Sequence, residues 1–215
     1  GLFPELFLTR HGEAMITTLG HRRYVGGQWD ELGDECLAFL IEQGMQPNHV
    51  LLDIACGSLR LGAKAIPWLD VGNYHGIDKE RGLIEAGVRE ELHPSLMAEK
   101  RPELVTSADF EFERFSKSPD YAVAFSLFTH LTPELIDLCL ARLRPHLHSG
   151  SRFFATYLER PRFWRNPKRP NDFAPFRYRQ SAMLDFGRRN GFVAEPIAWR
   201  LSSSQAMIEY RLADA

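Results

Sequence analysis

The chain has 215 residues, 44% of them hydrophobic and 25% charged, with a net charge of −2. That length suits one sizeable α/β domain or at most two small ones, and the composition excludes wholesale disorder. The charge balance singles out neither nucleic acid nor a membrane surface as partner. No apolar run approaches the roughly 18 residues that a bilayer span needs, so no membrane association is expected. The opening segment GLFPELFLTRHGEAM lacks the basic region and continuous apolar stretch of a signal peptide. It also lacks an initiator Met, which reads as a processed product or a domain cut from a longer chain. Cys36, Cys56 and Cys139 are widely spaced and odd in number, so a disulfide framework or structural zinc is not expected and a reducing cytoplasm is. His146 and His148 are neighbours with no further ligands nearby, and no metal centre is expected.

Residues 30–44 place Leu32, Cys36, Leu37, Phe39, Leu40 and Ile41 on one broad face, which predicts an amphipathic helix capped by Asp30 and stopped at Gly44. HVLLDI (49–54) is an apolar run bounded by turn residues, as expected of a strand covered on both faces. A glycine-bearing loop follows, then a short helix interrupted near Pro67, a Gly72-Asn73 turn and a second strand YHGID at 74–78. Residues 79–92 have helical periodicity, and after a less regular stretch ELVTSAD (103–109) and YAVAFSLF (121–128) predict strands three and four. Thr132-Pro133-Glu134 is a helix start, with a capping hydroxyl, a proline in the first turn and an acid at the positive dipole end. SRFFATYLE (151–159) predicts a fifth strand, QSAMLDFGRRN a last helix, and FVAEPIAWR with QAMIEYRL a final antiparallel pair. Alternating strands and helices over 49–158 predict a doubly wound, mostly parallel seven-stranded sheet with helices on both faces and a final antiparallel strand. The chain divides into an N-terminal helical extension, 1–29, and one Rossmann-like domain, 30–215.

In such a sheet, ligands bind where strand carboxyl ends meet helix N-termini. The residues to weigh are therefore Ala55-Cys56-Gly57-Ser58 after the first strand, Asp78 after the second, Asp109 after the third, and Ser126, Thr129 and His130 after the fourth. Gly57 permits close backbone approach to a ligand, and the following helix start offers free N–H groups. Asp78 lies 25 positions beyond Asp53, near the distance expected of an acid that grips ribose hydroxyls.

LLDIACGSLRLG, YHGID, SADF and AFSLFTHL, in that order, resemble the class I S-adenosylmethionine-dependent methyltransferases over residues 30–212. The resemblance implies that S-adenosylmethionine is the cofactor. Asp53 would stand near its methionine part, with Gly57 passing beneath and Ala55 and Ser58 completing the loop. Asp78 would take the ribose hydroxyls, with Lys79 beside it. Asp109 would accept from the adenine amino group, with Phe110 along the ring, and Ser126 would line the methionine end.

Two positions depart from the pattern. Ala55 and Leu59 stand where family members commonly carry glycine. Ala55 adds one methyl, and Leu59 is expected in the first helical turn, where a side chain is acceptable. Arg60 then either reaches the cofactor carboxylate or lies on a solvated helix face. A dinucleotide site wants G-x-G-x-x-G, which the loop does not supply, and Asp53 would repel a pyrophosphate.

Methyl transfer from a sulfonium is an in-line displacement, which needs a general base only when the acceptor must lose a proton. His130 is the first candidate, because its ordinary pKa of about 6.5 suits proton acceptance at neutral pH; the alternative is a capping or packing residue. Tyr157 and Glu159, at the end of the fifth strand, are next, and Glu159 reads equally as a surface acid. Tyr24–Trp29, with Gly26 and Gly27 as hinge, reads as a lid or as a plain helix-entry turn. Residues 160–189 carry nine Lys or Arg against two Asp, with Phe163, Trp164, Phe173, Phe176 and Tyr178 interleaved. This suits a nucleic-acid strand, a lid over a small substrate, or a solvated connection. SLFTH after the fourth strand differs from the Asn-Pro-Pro-aromatic signature of methyltransferases acting on base amino groups. A small-molecule acceptor is therefore expected and a nucleic acid is not. The class-level alternative is a non-catalytic scaffold with the same fold. The sequence sets no oligomeric state.

Overall fold

The computed structural model describes residues 16, 19–168 and 174–213. The opening segment up to residue 15 and Phe173 lie outside the described residues. Four parallel strands build the sheet's first part: β1 (Leu51–Ile54), β2 (Tyr74–Asp78), β3 (Glu103–Thr106) and β4 (Tyr121–Ala124). β5 (Arg152–Glu159) is parallel to β4, and the two-residue β6 (Arg177–Tyr178) pairs with its end. β7 (Phe192–Arg200) and β8 (Ala206–Leu212) close the sheet. The spatial order is β3-β2-β1-β4-β5-β8-β7, with β8 antiparallel to both neighbours. The sheet thus has eight strands where seven are expected. The extra strand β6 is too short to show any periodicity.

The helices are α1 (His21–Tyr24), α2 (Trp29–Glu42), α3 (Gly62–Trp68), α4 (Arg81–Glu91), α5 (Pro94–Lys100), α6 (Pro133–Leu143) and α7 (Gln180–Arg189). Side-chain alternation splits the core. Leu52, Ile54, Ala122, Phe153, Ile208 and Tyr210 pack with α6 and α7 on one face. Leu51, Tyr74, Val123, Phe154 and Met207 pack with α2 and α3 on the other. β1, β2 and β4 are buried along their whole length, which is why they read as unbroken apolar runs.

Several boundaries differ from the sequence expectation for local reasons. α2 starts at Trp29 after Gln28, which is left-handed (φ 46°), so Asp30 sits inside the first turn and receives Lys64 Nζ at 3.0 Å. α4 begins at Arg81 instead of Lys79, because the Glu80 N–H is held by the Asp78 carboxylate. Residues 94–100, read as irregular, form α5. The His93 ring accepts the Ser95 N–H there, and Pro94 opens the first turn. β4 ends at Ala124, four residues early, where the chain turns toward Ser126. Thr132 is the N-cap of α6, but its hydroxyl makes no cap hydrogen bond.

Candidate functional site

Strand order reverses between β1 and β4, so the crevice for a ligand lies at their carboxyl ends. The loop after β1 is pinned to β2: the N–H groups of Ala55 and Cys56 both donate to the Ile77 carbonyl, at 2.8 and 3.0 Å. Three alternate residues in it are left-handed, Ala55 (φ 63°), Gly57 (φ 55°) and Leu59 (φ 65°). Leu59 is therefore not in a helical turn, as the sequence suggests; α3 starts only at Gly62. The backbone keeps the glycine conformation at 55 and 59 although side chains occupy both positions. Each such non-glycine residue costs about 1–2 kcal/mol. Leu59 holds its place because its side chain is fully buried. Gly87 of α4 makes room for the loop: a Cβ there would lie 2.4 Å from the Ser58 carbonyl oxygen. The Ser58 hydroxyl is buried with no hydrogen-bond partner among the described residues.

Asp78 ends β2 with both carboxylate oxygens engaged. One accepts the Gly57 N–H at 2.9 Å and the other the Glu80 N–H at 2.8 Å. Burial raises its pKa, and the two N–H donors oppose that shift. Asp53, 5% exposed, accepts the Tyr74 hydroxyl at 2.7 Å. Burial pushes its carboxyl up to about 6 against the stabilising Tyr74 bond. Lys79 is exposed at the rim, its ammonium 3.7 Å from Glu80. The third acidic position joins through Ser107, whose N–H donates to the Asp78 carbonyl at 2.9 Å while its hydroxyl accepts the Asp109 N–H at 3.1 Å. The Asp109 side chain is exposed, its carbonyl accepts from Arg142, and Phe110 beside it is left-handed (φ 55°).

Arg60 is neither on a solvated face nor free. Its guanidinium donates to the carbonyls of Val25 and Gly27, at 3.2 and 3.3 Å. It thereby ties the 25–27 segment across the loop, with Val25 against Gly57. The same segment is anchored at its start: Arg22 donates two hydrogen bonds to Glu91 (2.7 and 2.6 Å), and His21 Nε2 lies 3.0 Å from Glu90 and from Glu91. The His21 ring meets buried Trp29 edge-on.

After β4, Ser126 is left-handed (φ 62°) and half-buried at the edge. His130 is exposed, its N–H donating to the Leu127 carbonyl at 2.8 Å. Tyr157 is 1% exposed within the core, and burial raises its hydroxyl pKa, which keeps it protonated. Glu159 is exposed and takes Arg200 at 2.7 Å. Tyr157, Glu159, Trp199, Arg200 and Met207 do share a cleft of about 340 Å³ at the carboxyl end of β5. The basic aromatic segment divides. Phe176 and Tyr178 are buried and stacked, Arg177 lies over the Trp164 ring, and Phe163 is 89% exposed.

Sequence reasoning missed Tyr74, Thr156 and Gln205. Tyr74 looks like any strand residue, and only the neighbouring strand brings Asp53 under its hydroxyl. Thr156 is a polar residue at 0% exposure in an otherwise apolar run, and that polarity is its one signal in the sequence; Gln205, 8% exposed, follows Ser202-Ser203-Ser204 and carries none.

Five of the seven non-glycine residues with positive φ among the described residues, Gln28, Ala55, Leu59, Phe110 and Ser126, border this one edge. Residues held in such conformations cluster at active sites and ligand clamps in proteins generally. No cluster of His, Cys, Asp and Glu among the described residues is arranged to hold a metal ion. No described helix is long and apolar enough to cross a membrane.

No family model matches the sequence. Among solved structures the chain is similar to Streptomyces venezuelae DesVI, with TM-score 0.68 and 12% identity over 92% of this chain and 98% of that one. It is similar to the glycopeptide N-methyltransferase MtfA, with TM-score 0.64 and 15% identity over 86% and 92%. It is also similar to the S-adenosylmethionine-bound magnesium protoporphyrin IX methyltransferase of Synechocystis, with TM-score 0.62 and 15% identity over 89% of each chain. The chain has the class I S-adenosylmethionine-dependent methyltransferase fold.

Proposed function

We propose that this protein is an S-adenosylmethionine-dependent methyltransferase acting on a small-molecule acceptor by in-line displacement. The observation that carries the reading is the Gly57 N–H donating to the Asp78 carboxylate, which joins the loop after β1 and the acid ending β2 into one unit. The residues present fit the cofactor. A carboxylate has about four acceptor positions. Two on Asp78 hold backbone N–H groups, and the others are available to ribose hydroxyls. Asp53 places negative charge beside the loop for a cationic methionine end, and the buried Ser58 hydroxyl awaits a partner. Ala55 and Gly57 let the main chain approach, and Lys79, Asp109 and Phe110 border the ribose and adenine end. Arg60 serves by closing the 25–27 strap, and Ser126 faces the methyl-transfer end. Bound, the cofactor supplies an electrophilic methyl on a sulfonium.

The chain's own task is to bind, to align and to exclude water. His130 is the residue placed to receive a proton where the acceptor must lose one. Tyr157 and Glu159, in the cleft beside β5, orient the acceptor. Residues 30–215 act as the methyltransferase domain, working in the cytoplasm, and the 25–27 segment of the N-terminal extension covers the loop after β1. Likeness to enzymes of a porphyrin and a glycopeptide supports an acceptor of that class.

Calorimetry with S-adenosylmethionine and S-adenosylhomocysteine tests the reading. Binding that Asp78→Ala abolishes supports it. No binding, together with no cofactor carried through purification, replaces it with a non-catalytic scaffold.

A further inference from the structure

We propose that Gln205 and Thr156 are positioning residues that fix the Ser126 hydroxyl as a hydrogen-bond donor toward the methyl acceptor. The inference rests on the methyltransferase reading and goes beyond it by assigning two residues outside the cofactor loops. The Ser126 N–H donates to Thr156 Oγ1 at 2.7 Å, the Thr156 hydroxyl donates to Gln205 Oε1 at 2.7 Å, and Gln205 Nε2 donates to Ser126 Oγ at 2.9 Å. These three bonds form a closed ring across the ends of β4, β5 and β8. Thr129 adds a fourth, its hydroxyl donating to the Ser126 carbonyl at 2.7 Å.

The ring does more than satisfy polar groups. Ser126 is left-handed, a conformation that a serine holds only when its surroundings impose it. Its N–H, its carbonyl and one hydroxyl lone pair are all engaged by buried partners. Because the hydroxyl accepts from Gln205, its own proton is not used inside the ring. Ser126 is half-buried at the carboxyl edge, so that proton is offered outward. Thr156 is suited to the hub, since a β-branched side chain in a strand has little χ1 freedom. Gln205 reaches Ser126 from 79 positions away, at the start of the antiparallel strand. An acceptor that presents a lone pair to Ser126 is held by such a donor.

The experiment uses the whole protein, S-adenosylhomocysteine as binding probe, and S-adenosylmethionine labelled in its methyl group with the extract fraction that takes up label. Ser126→Ala and Thr156→Val are expected to lower labelled transfer at least tenfold, and Thr156→Val, which lies outside the cofactor loops, is expected to keep S-adenosylhomocysteine affinity within threefold of wild type. Thr156→Ser, which keeps the hydroxyl, is expected to restore most of the transfer. Gln205→Glu sharpens the test. Its carboxylate only accepts, which turns the Ser126 proton inward, whereas its protonated form donates and accepts like the amide. Transfer by Gln205→Glu relative to wild type is therefore expected to rise as pH falls. A flat ratio across pH, Ser126→Ala at wild-type rate, or equal losses in Thr156→Ser and Thr156→Val each overturn the proposal. Should Gln205→Glu fail to fold, the Thr156 pair decides alone. Wild-type protein that binds no S-adenosylhomocysteine overturns the methyltransferase reading instead, and the positioning proposal with it.

Discussion

The two halves of the carboxyl edge are built differently. On the β1–β3 side, Asp53 and Asp78 stand at the ends of β1 and β2, Asp109 lies three residues beyond β3, and the loops are tied by bonds such as Gly57 to Asp78. That side is shaped by backbone conformation. Leu59 and Ala55 keep the left-handed geometry of glycine at a cost that burial and hydrogen bonding offset. On the β4–β8 side the candidate residues have separate surroundings: Tyr157 is buried, Glu159 pairs with Arg200, and His130 lies at the surface. A long-range ring through Thr156 and Gln205 holds that side together. One half is thus held by contacts between neighbouring loops, the other by contacts between segments far apart in the chain.

The contrast can be broken first at its strongest point. Asp78→Ala removes an acceptor from two buried N–H groups along with the ribose contacts. Charge-assisted bonds of about 1.5–3 kcal/mol each predict a loss of S-adenosylhomocysteine affinity on the order of 100-fold or more by calorimetry. An affinity within threefold of wild type would remove Asp78 from the site.

Gly87→Ala tests whether α4 supports the loop without touching a ligand. Its Cβ would sit 2.4 Å from the Ser58 carbonyl oxygen and must displace the loop. Overpacking of this kind costs about 1–3 kcal/mol. Thermal unfolding should show that loss, and affinity should fall about tenfold.

The strain reading separates two substitutions to glycine. Leu59→Gly relieves φ but empties a buried leucine site worth about 2–5 kcal/mol, so it should destabilise. Ala55→Gly relieves the same strain with one methyl lost, and should be neutral or stabilise by up to ~1 kcal/mol. Denaturant titration of the pair checks the opposite signs.

Two buried groups set the pH behaviour. Burial pushes the Asp53 carboxyl up to about 6 against the Tyr74 bond and the Arg60 charge, and a cationic cofactor favours its charged form. Affinity for S-adenosylmethionine should therefore be full above pH 6 and fall as pH drops through it, by up to about tenfold per unit. His75 is fully buried on β2 against Phe115, and burial lowers its pKa, with Lys117 adding to the shift and Glu103 opposing it. A base with a lowered folded pKa leaves the unfolded state to bind the proton first. Stability is then full above the unfolded value of about 6.5 and is lost as pH falls below it. His75→Phe should flatten that acid limb in unfolding measured from pH 7 to pH 5.

The smallest effect is expected at Arg60. Arg60→Met loses two hydrogen bonds to the 25–27 carbonyls. Affinity should fall only a fewfold, while proteolysis near Gly26-Gly27 should quicken.

The sequence by itself determined the parallel sheet, the place of the first loop and the acid at each strand end. These follow from short-range patterns: buried strands read as apolar runs, and the residue after a strand lies at the sheet's edge in any doubly wound fold. It also flagged Leu59 and Arg60 as departures, though not what they do. Tertiary structure decided that Leu59 stays left-handed, because α2, α3 and α4 packed around the loop bury its side chain. It turned Arg60 toward the strap, since Val25 and Gly27 approach it only once α2 is docked. It also placed Gln205 on Ser126, because the antiparallel insertion of β8 beside β5 sets that contact, and a separation of 79 residues leaves no periodic trace in the chain.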